Sequence, residues 1–205
     1  MIRAVHHAWR RIRYGEPVIV VSGLPRSGTS LMMQMLEAGG VPIVTDRTRT
    51  ADESNPRGYY ELERVKALEH GADTSWLGDA SGKAVKVVAY LLEHLPAGYN
   101  YRVVFMQRRL DEVLASQRRM LELSGEPAGA DDARMREMLV GHIARTRRLL
   151  ARRPGFETLY VRHGDVLAEP LVKAREVAAF LRRALDVNAM ATVVDRALHR
   201  SRGDA

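Results

Sequence analysis

Cysteine is absent from this 205-residue chain, aromatic residues make up only 6% of it, and no apolar run approaches the length of a bilayer-crossing helix. The first absence excludes a disulfide scaffold and a zinc-thiolate module. With no secretion-type leader either, it sets the expectation of a cytoplasmic location. The lack of a long apolar run argues against a transmembrane helix, and the scarcity of rings predicts a core of aliphatic side chains and Met. What is present is 46% apolar residues, enough to fill one core, so residues 1–205 are expected to form a single domain. Basic residues outnumber acidic ones 32 to 25, a net charge of +7, and 28 of the 32 are Arg. That balance suits an anionic partner such as nucleic acid, membrane or phosphate, but it also arises from genomic base composition. The positions of the arginines must decide.

Ile2, Val5, Trp9 and Ile12 recur at helical spacing among Arg3, Arg10, Arg11 and Arg13, which predicts a basic amphipathic helix over residues 1–15. It reads either as a membrane-surface or partner-binding arm or as a first helix packed on the domain. Beyond it, short apolar runs at 17–21, 41–44, 84–88, 102–106 and 156–161 predict strands. Helical stripes cover 28–38, 61–70, 91–95, 110–121, 132–151 and 171–185. Strands alternating with helices predict a three-layer α/β domain whose central parallel sheet has about five strands. Residues 45–60 are polar and turn-rich, a loop long enough to carry function.

Between the first strand and the first helix lies Gly23-Leu24-Pro25-Arg26-Ser27-Gly28-Thr29-Ser30. This is P-loop spacing, in which backbone N–H groups and a helix N-terminus surround an anion. A nucleoside triphosphatase would place Lys where Thr29 stands. It would also carry an acidic metal ligand after a neighbouring strand, where Gln107, Arg108 and Arg109 follow instead. Arg26 and the hydroxyls of Ser27, Thr29 and Ser30 can hold an anion without a metal. No His, Asp or Glu cluster has metal-ligand spacing. The histidines are weak candidates: His142 falls on the apolar stripe of its helix and reads as a packed core residue, and His163 follows the last strand.

Pro25 to Ser30 resembles the 5'-phosphosulfate loop of the sulfotransferases that use 3'-phosphoadenylyl sulfate (PAPS) as donor, and is most similar to the tyrosylprotein and bacterial branches. The resemblance implies a second motif, an Arg at the end of a later strand and a Ser eight residues on, both binding the donor's 3'-phosphate. Arg108 and Ser116 match it, and a strand that feeds straight into a helix can bring two such groups together. More loosely, Lys86 matches a lysine of the sulfuryl-transfer site. Asn55 to Glu61 and the tail that holds Arg200 resemble bacterial members. Three departures set the cytosolic small-molecule branch aside: Val88 stands where that branch has His, Leu31 stands where it has Trp, and its C-terminal Gly-rich motif is missing.

The implied activity is transfer of a sulfuryl group from PAPS to a hydroxyl or amine of an acceptor, with no metal. Arg26, the loop amides and Lys86 would hold charge on the leaving phosphate, and Asp46 or Glu61 would take the acceptor proton. The donor-binding set would be Arg26, Ser27, Gly28, Thr29, Ser30, Arg108, Ser116 and Arg200. The expected acceptor is a small molecule or an exposed chain end. Nucleic acid is not expected, since the arginines lack interleaved aromatics for stacking. Two alternatives stay open: a P-loop kinase or other nucleoside-phosphate transferase, and a non-enzymatic nucleotide-binding protein.

Overall fold

The computed structural model describes residues 12–46, 60–71, 73–123 and 132–194. Four strands form one parallel sheet: β1 (Val18–Gly23), β2 (Ala84–Lys86), β3 (Tyr101–Gln107) and β4 (Phe156–Arg162), in the order β2-β1-β3-β4. β1 and β3 lie inside the sheet and are apolar on both faces, the pattern of a parallel strand covered from both sides. The expected strand at 41–44 is reduced to a bridge between Ile43 and Ala84, flanked by hydrogen bonds from Val44 N to Ala84 O and from Ala84 N to Pro42 O, both 2.8 Å. Pro42 has no N–H to extend the ladder, so among the described residues the sheet has four strands against the expected five or so.

Helix α1 (Thr29–Ala38) follows β1 and ends at Gly39 and Gly40. The segment after the long polar loop forms α2 (Glu63–Lys66) and a 3₁₀ turn (Ala67–His70). A short helix absent from the sequence reading, α3 (Trp76–Asp79), buries Trp76 and Leu77, and a second 3₁₀ turn (Ala89–His94) follows β2. Two long helices, α4 (Leu110–Leu123) and α5 (Asp132–Arg152), come before β4. The chain then builds α6 (His163–Ala168), α7 (Pro170–Leu181) and α8 (Val187–Thr192). The expected helix to residue 185 stops at Leu181 because Arg182 turns left-handed at φ 53°, which leaves Leu185 outside it.

Two apolar cores cover the sheet. On one face Ile19, Val21, Val104 and Val161 meet α1, α6, α7 and α8, and this core is rich in Met: Met32, Met33, Met35, Met106 and Met190 are fully buried. On the other, Val18, Val20, Val85, Val103, Phe105 and Phe156 meet α2, α3, both 3₁₀ turns and Leu150 of α5. Every strand therefore ends, at its C-terminal edge, between two helical layers, where ligands bind in open parallel sheets. Among the described residues no helix is long and apolar enough to cross a membrane. The expected N-terminal helix lies outside the described residues as far as residue 11, as do residues 47–59 and the tail with Arg200.

Candidate functional site

The turn from β1 into α1 leaves no room for side chains at its two glycines. A Cβ on Gly23 would lie 2.4 Å from Ser27 Oγ and 2.7 Å from the Met106 carbonyl, and Gly28 sits at φ 95°. The Ser27 hydroxyl donates to the Leu24 carbonyl at 2.7 Å, so it braces the loop from within. No side chain caps α1 and no acidic residue stands in its first turn. The amides of that turn and the positive end of the helix dipole therefore face the loop, a setting for an anion. Thr29 is buried and Ser30 half-buried beside it.

Arg26 adopts φ 66°, a left-handed conformation uncommon for a residue with a side chain. Two of its contacts bear on that conformation. Its Nε donates to Ser116 Oγ at 3.0 Å, and its carbonyl accepts from Arg108 Nη1 at 3.0 Å. Arg108 follows β3, keeps only 8% of its side chain exposed, and donates from Nε to Glu112 Oε2 at 2.9 Å. Glu112 and Ser116, four apart on α4, share the helix face turned to the loop, and Arg108 lies just before the helix. The structure thus brings Arg26, Arg108 and Ser116, distant in sequence, into one polar cluster beside the loop. Glu112 is its fourth member; the sequence reading missed it, although its spacing from Arg108 and Ser116 could have revealed it.

Lys86 ends β2 opposite Val21 and is buried at 8% exposure, on the face it shares with Ala84 and α1. Asp46 and Glu61 lie side by side on adjoining backbone segments, where Asp46 N donates to the Glu61 carbonyl at 3.4 Å. Asp46 Oδ2 accepts from the Glu63 amide at 2.7 Å and so caps α2, while Glu61 pairs with Lys66 at 3.0 Å. The hydrogen bonds that Lys66 donates to Glu63 and Glu61 raise its pKa above the ordinary value. His163, at the C-terminal end of β4, packs against the loop: its Cδ2 occupies the space 2.4 Å from where a Gly28 Cβ would stand. His142 is half-buried rather than a core residue, edge-on to Tyr90 at 6.3 Å between ring centroids. Arg109, Arg118 and Arg119 are exposed on α4 or beside it.

No family model and no curated protein matches this sequence. Solved structures match over most of its length. Sulfotransferase STF1 of Mycobacterium tuberculosis superposes with a TM-score of 0.59 at 17% identity, covering 91% of this chain and 76% of that one. The sulfotransferase domain of the Synechococcus PCC 7002 olefin synthase gives 0.57 at 16% identity, covering 94% and 90%. The fold is that of the sulfotransferases. Mouse sulfotransferase SULT7A1, solved as a complex with PAP, gives 0.54 at 14% identity, covering 87% of this chain and 62% of that one. In this chain the glycine loop after β1 and Arg108 after β3 lie at the same edge of the sheet.

Proposed function

We propose that this chain transfers a sulfuryl group from PAPS to a hydroxyl or amine acceptor. The observation that carries the reading is the cluster of Arg26, Arg108 and Ser116 beside an uncapped helix N-terminus, within a sulfotransferase fold. The residues present fit such a donor. Buried guanidinium and hydroxyl groups suit two phosphates, and the glycine loop lets the backbone approach one of them closely. Arg26 and the α1 amides would hold the 5'-phosphosulfate, and Arg108 with Ser116 the 3'-phosphate. The acceptor oxygen or nitrogen attacks sulfur in line as the bond from sulfur to the bridging oxygen breaks, and adenosine 3',5'-bisphosphate leaves. Arg26 and Lys86 stabilise the charge that develops on it. We assign the acceptor proton to Glu61 ahead of Asp46, because Asp46 Oδ2 is held by the α2 backbone whereas Glu61 pairs with an exposed lysine side chain that can swing away.

The test is calorimetric. Adenosine 3',5'-bisphosphate should bind in preference to ATP with magnesium, and Arg108→Ala should weaken it by about 2 to 5 kcal/mol if the pair is desolvated. Preference for ATP with magnesium would establish the kinase-like alternative. Once an acceptor is in hand, Glu61→Gln should lower kcat about 10²- to 10⁴-fold while leaving bisphosphate affinity intact. An Asp46→Asn variant with the larger kcat loss would exchange the two roles.

A further inference from the structure

The geometry points to Glu112 as a positioning residue that makes this site select a 3'-phosphate. This rests on the sulfuryl-transfer reading above and extends it to a residue that no motif carries. The Arg108 side chain is only 8% exposed, and two of its bonds diverge: Nη1 to the carbonyl of left-handed Arg26, and Nε to Glu112. A guanidinium has one plane and five donors in fixed directions. Fixing Nε and one Nη therefore fixes the direction of the remaining donors. Without the Glu112 bond, Arg108 Nε would lose the acceptor that sets the tilt of the guanidinium plane.

The same arrangement joins the two anion sites mechanically. Glu112 orients Arg108, Arg108 holds the backbone of Arg26, and Arg26 reaches back to Ser116 one turn beyond Glu112. The cycle closes on one face of α4. Glu112 never touches the donor in this scheme. It acts through Arg108, at a position where a carboxylate would otherwise be unwelcome beside two phosphates, since like charges repel. Its presence there is explained if the hydrogen bond it accepts outweighs that repulsion.

The experiment measures the affinity ratio of adenosine 3',5'-bisphosphate to adenosine 5'-monophosphate for wild type, Glu112→Ala and Glu112→Gln. The thermal midpoint of each variant is recorded to show that it folds. Glu112→Ala should cut the ratio about tenfold, the scale of one charge-assisted hydrogen bond. Glu112→Gln keeps an acceptor oxygen at the same reach and should restore the ratio to within about threefold of wild type. An unchanged ratio in Glu112→Ala overturns the inference, and so does an equal loss in both variants, which would make charge and not the bond responsible. If Glu112→Ala does not fold, Glu112→Asp, with its carboxylate drawn back by one carbon, must lower the ratio; an unchanged ratio there also overturns the inference. Failure of the parent reading looks different: wild type itself would then show no preference for the bisphosphate.

Discussion

Gly28 combines a φ of 95° with a Cβ position 2.4 Å from His163 Cδ2, so two separate costs meet at one residue. The backbone conformation costs about 1 to 3 kcal/mol for a residue with a side chain, and the imidazole must move as well. Gly28→Ala should therefore destabilise the protein by more than the backbone term alone, measured by chemical denaturation. Adding His163→Ala should recover the steric part and leave the strain, a coupling of about 0.5 to 3 kcal/mol for residues in contact. Strictly additive losses would mean that His163 does not brace the loop. The need for Gly28 could be read from the loop motif, whereas the role of His163 could not. Its neighbour in space lies far back along the chain, and a lone His after a strand carries no spacing signal. The place of Arg108 after β3 and its spacing from Ser116 were legible in a strand that feeds a helix, whereas the bond from Arg26 to Ser116 was not. The carboxylates were less so, since Asp46 and Glu61 have the same chemistry and only the fold shows one of them capping α2.

Among the elements, those with strong periodicity matched expectation closely: β1, α1, β3, α5 and β4 lie within a residue or two of where the apolar pattern puts them. The misses have local causes. Pro42 starves the 41–44 strand of donors, Arg182 ends α7 early, and α3 is too short to show a period. On α5, the apolar stripe carries His142 to the margin of the core. Burial and then the nearby Arg145 hold its imidazole below the ordinary pKa, against a smaller opposing pull from Glu93. The folded protein thus takes up this proton less readily than the unfolded chain, and stability is lost as pH falls below about 6.5. His142→Gln does not titrate there. Its thermal midpoint should drop less than that of wild type between about pH 7.5 and about pH 5.5. An equal drop in both proteins would remove His142 as a cause of acid sensitivity.

At the scale of the whole molecule, a charge of +7 attracts any polyanion, so weak binding of an oligonucleotide at low salt would not by itself identify a ligand. Ionic strength separates the two kinds of contact. Exposed arginines such as Arg109, with 78% of its side chain in solvent, are screened beyond about 8 to 10 Å at physiological salt. Arg108, with 8% exposed and ordered by Glu112 and the loop backbone, is screened far less. Raising salt from about 50 mM to about 200 mM should therefore weaken a single-stranded oligonucleotide that makes about 6 to 10 phosphate contacts by roughly 300-fold or more. Adenosine 3',5'-bisphosphate should lose less than about tenfold over the same range, because its phosphates meet buried donors. Equilibrium titrations at the two salt concentrations check both halves. If the bisphosphate loses affinity as steeply as the oligonucleotide, Arg108 and Ser116 do not enclose it. If the oligonucleotide holds at the higher salt and displaces the bisphosphate, the surplus charge serves a polynucleotide after all.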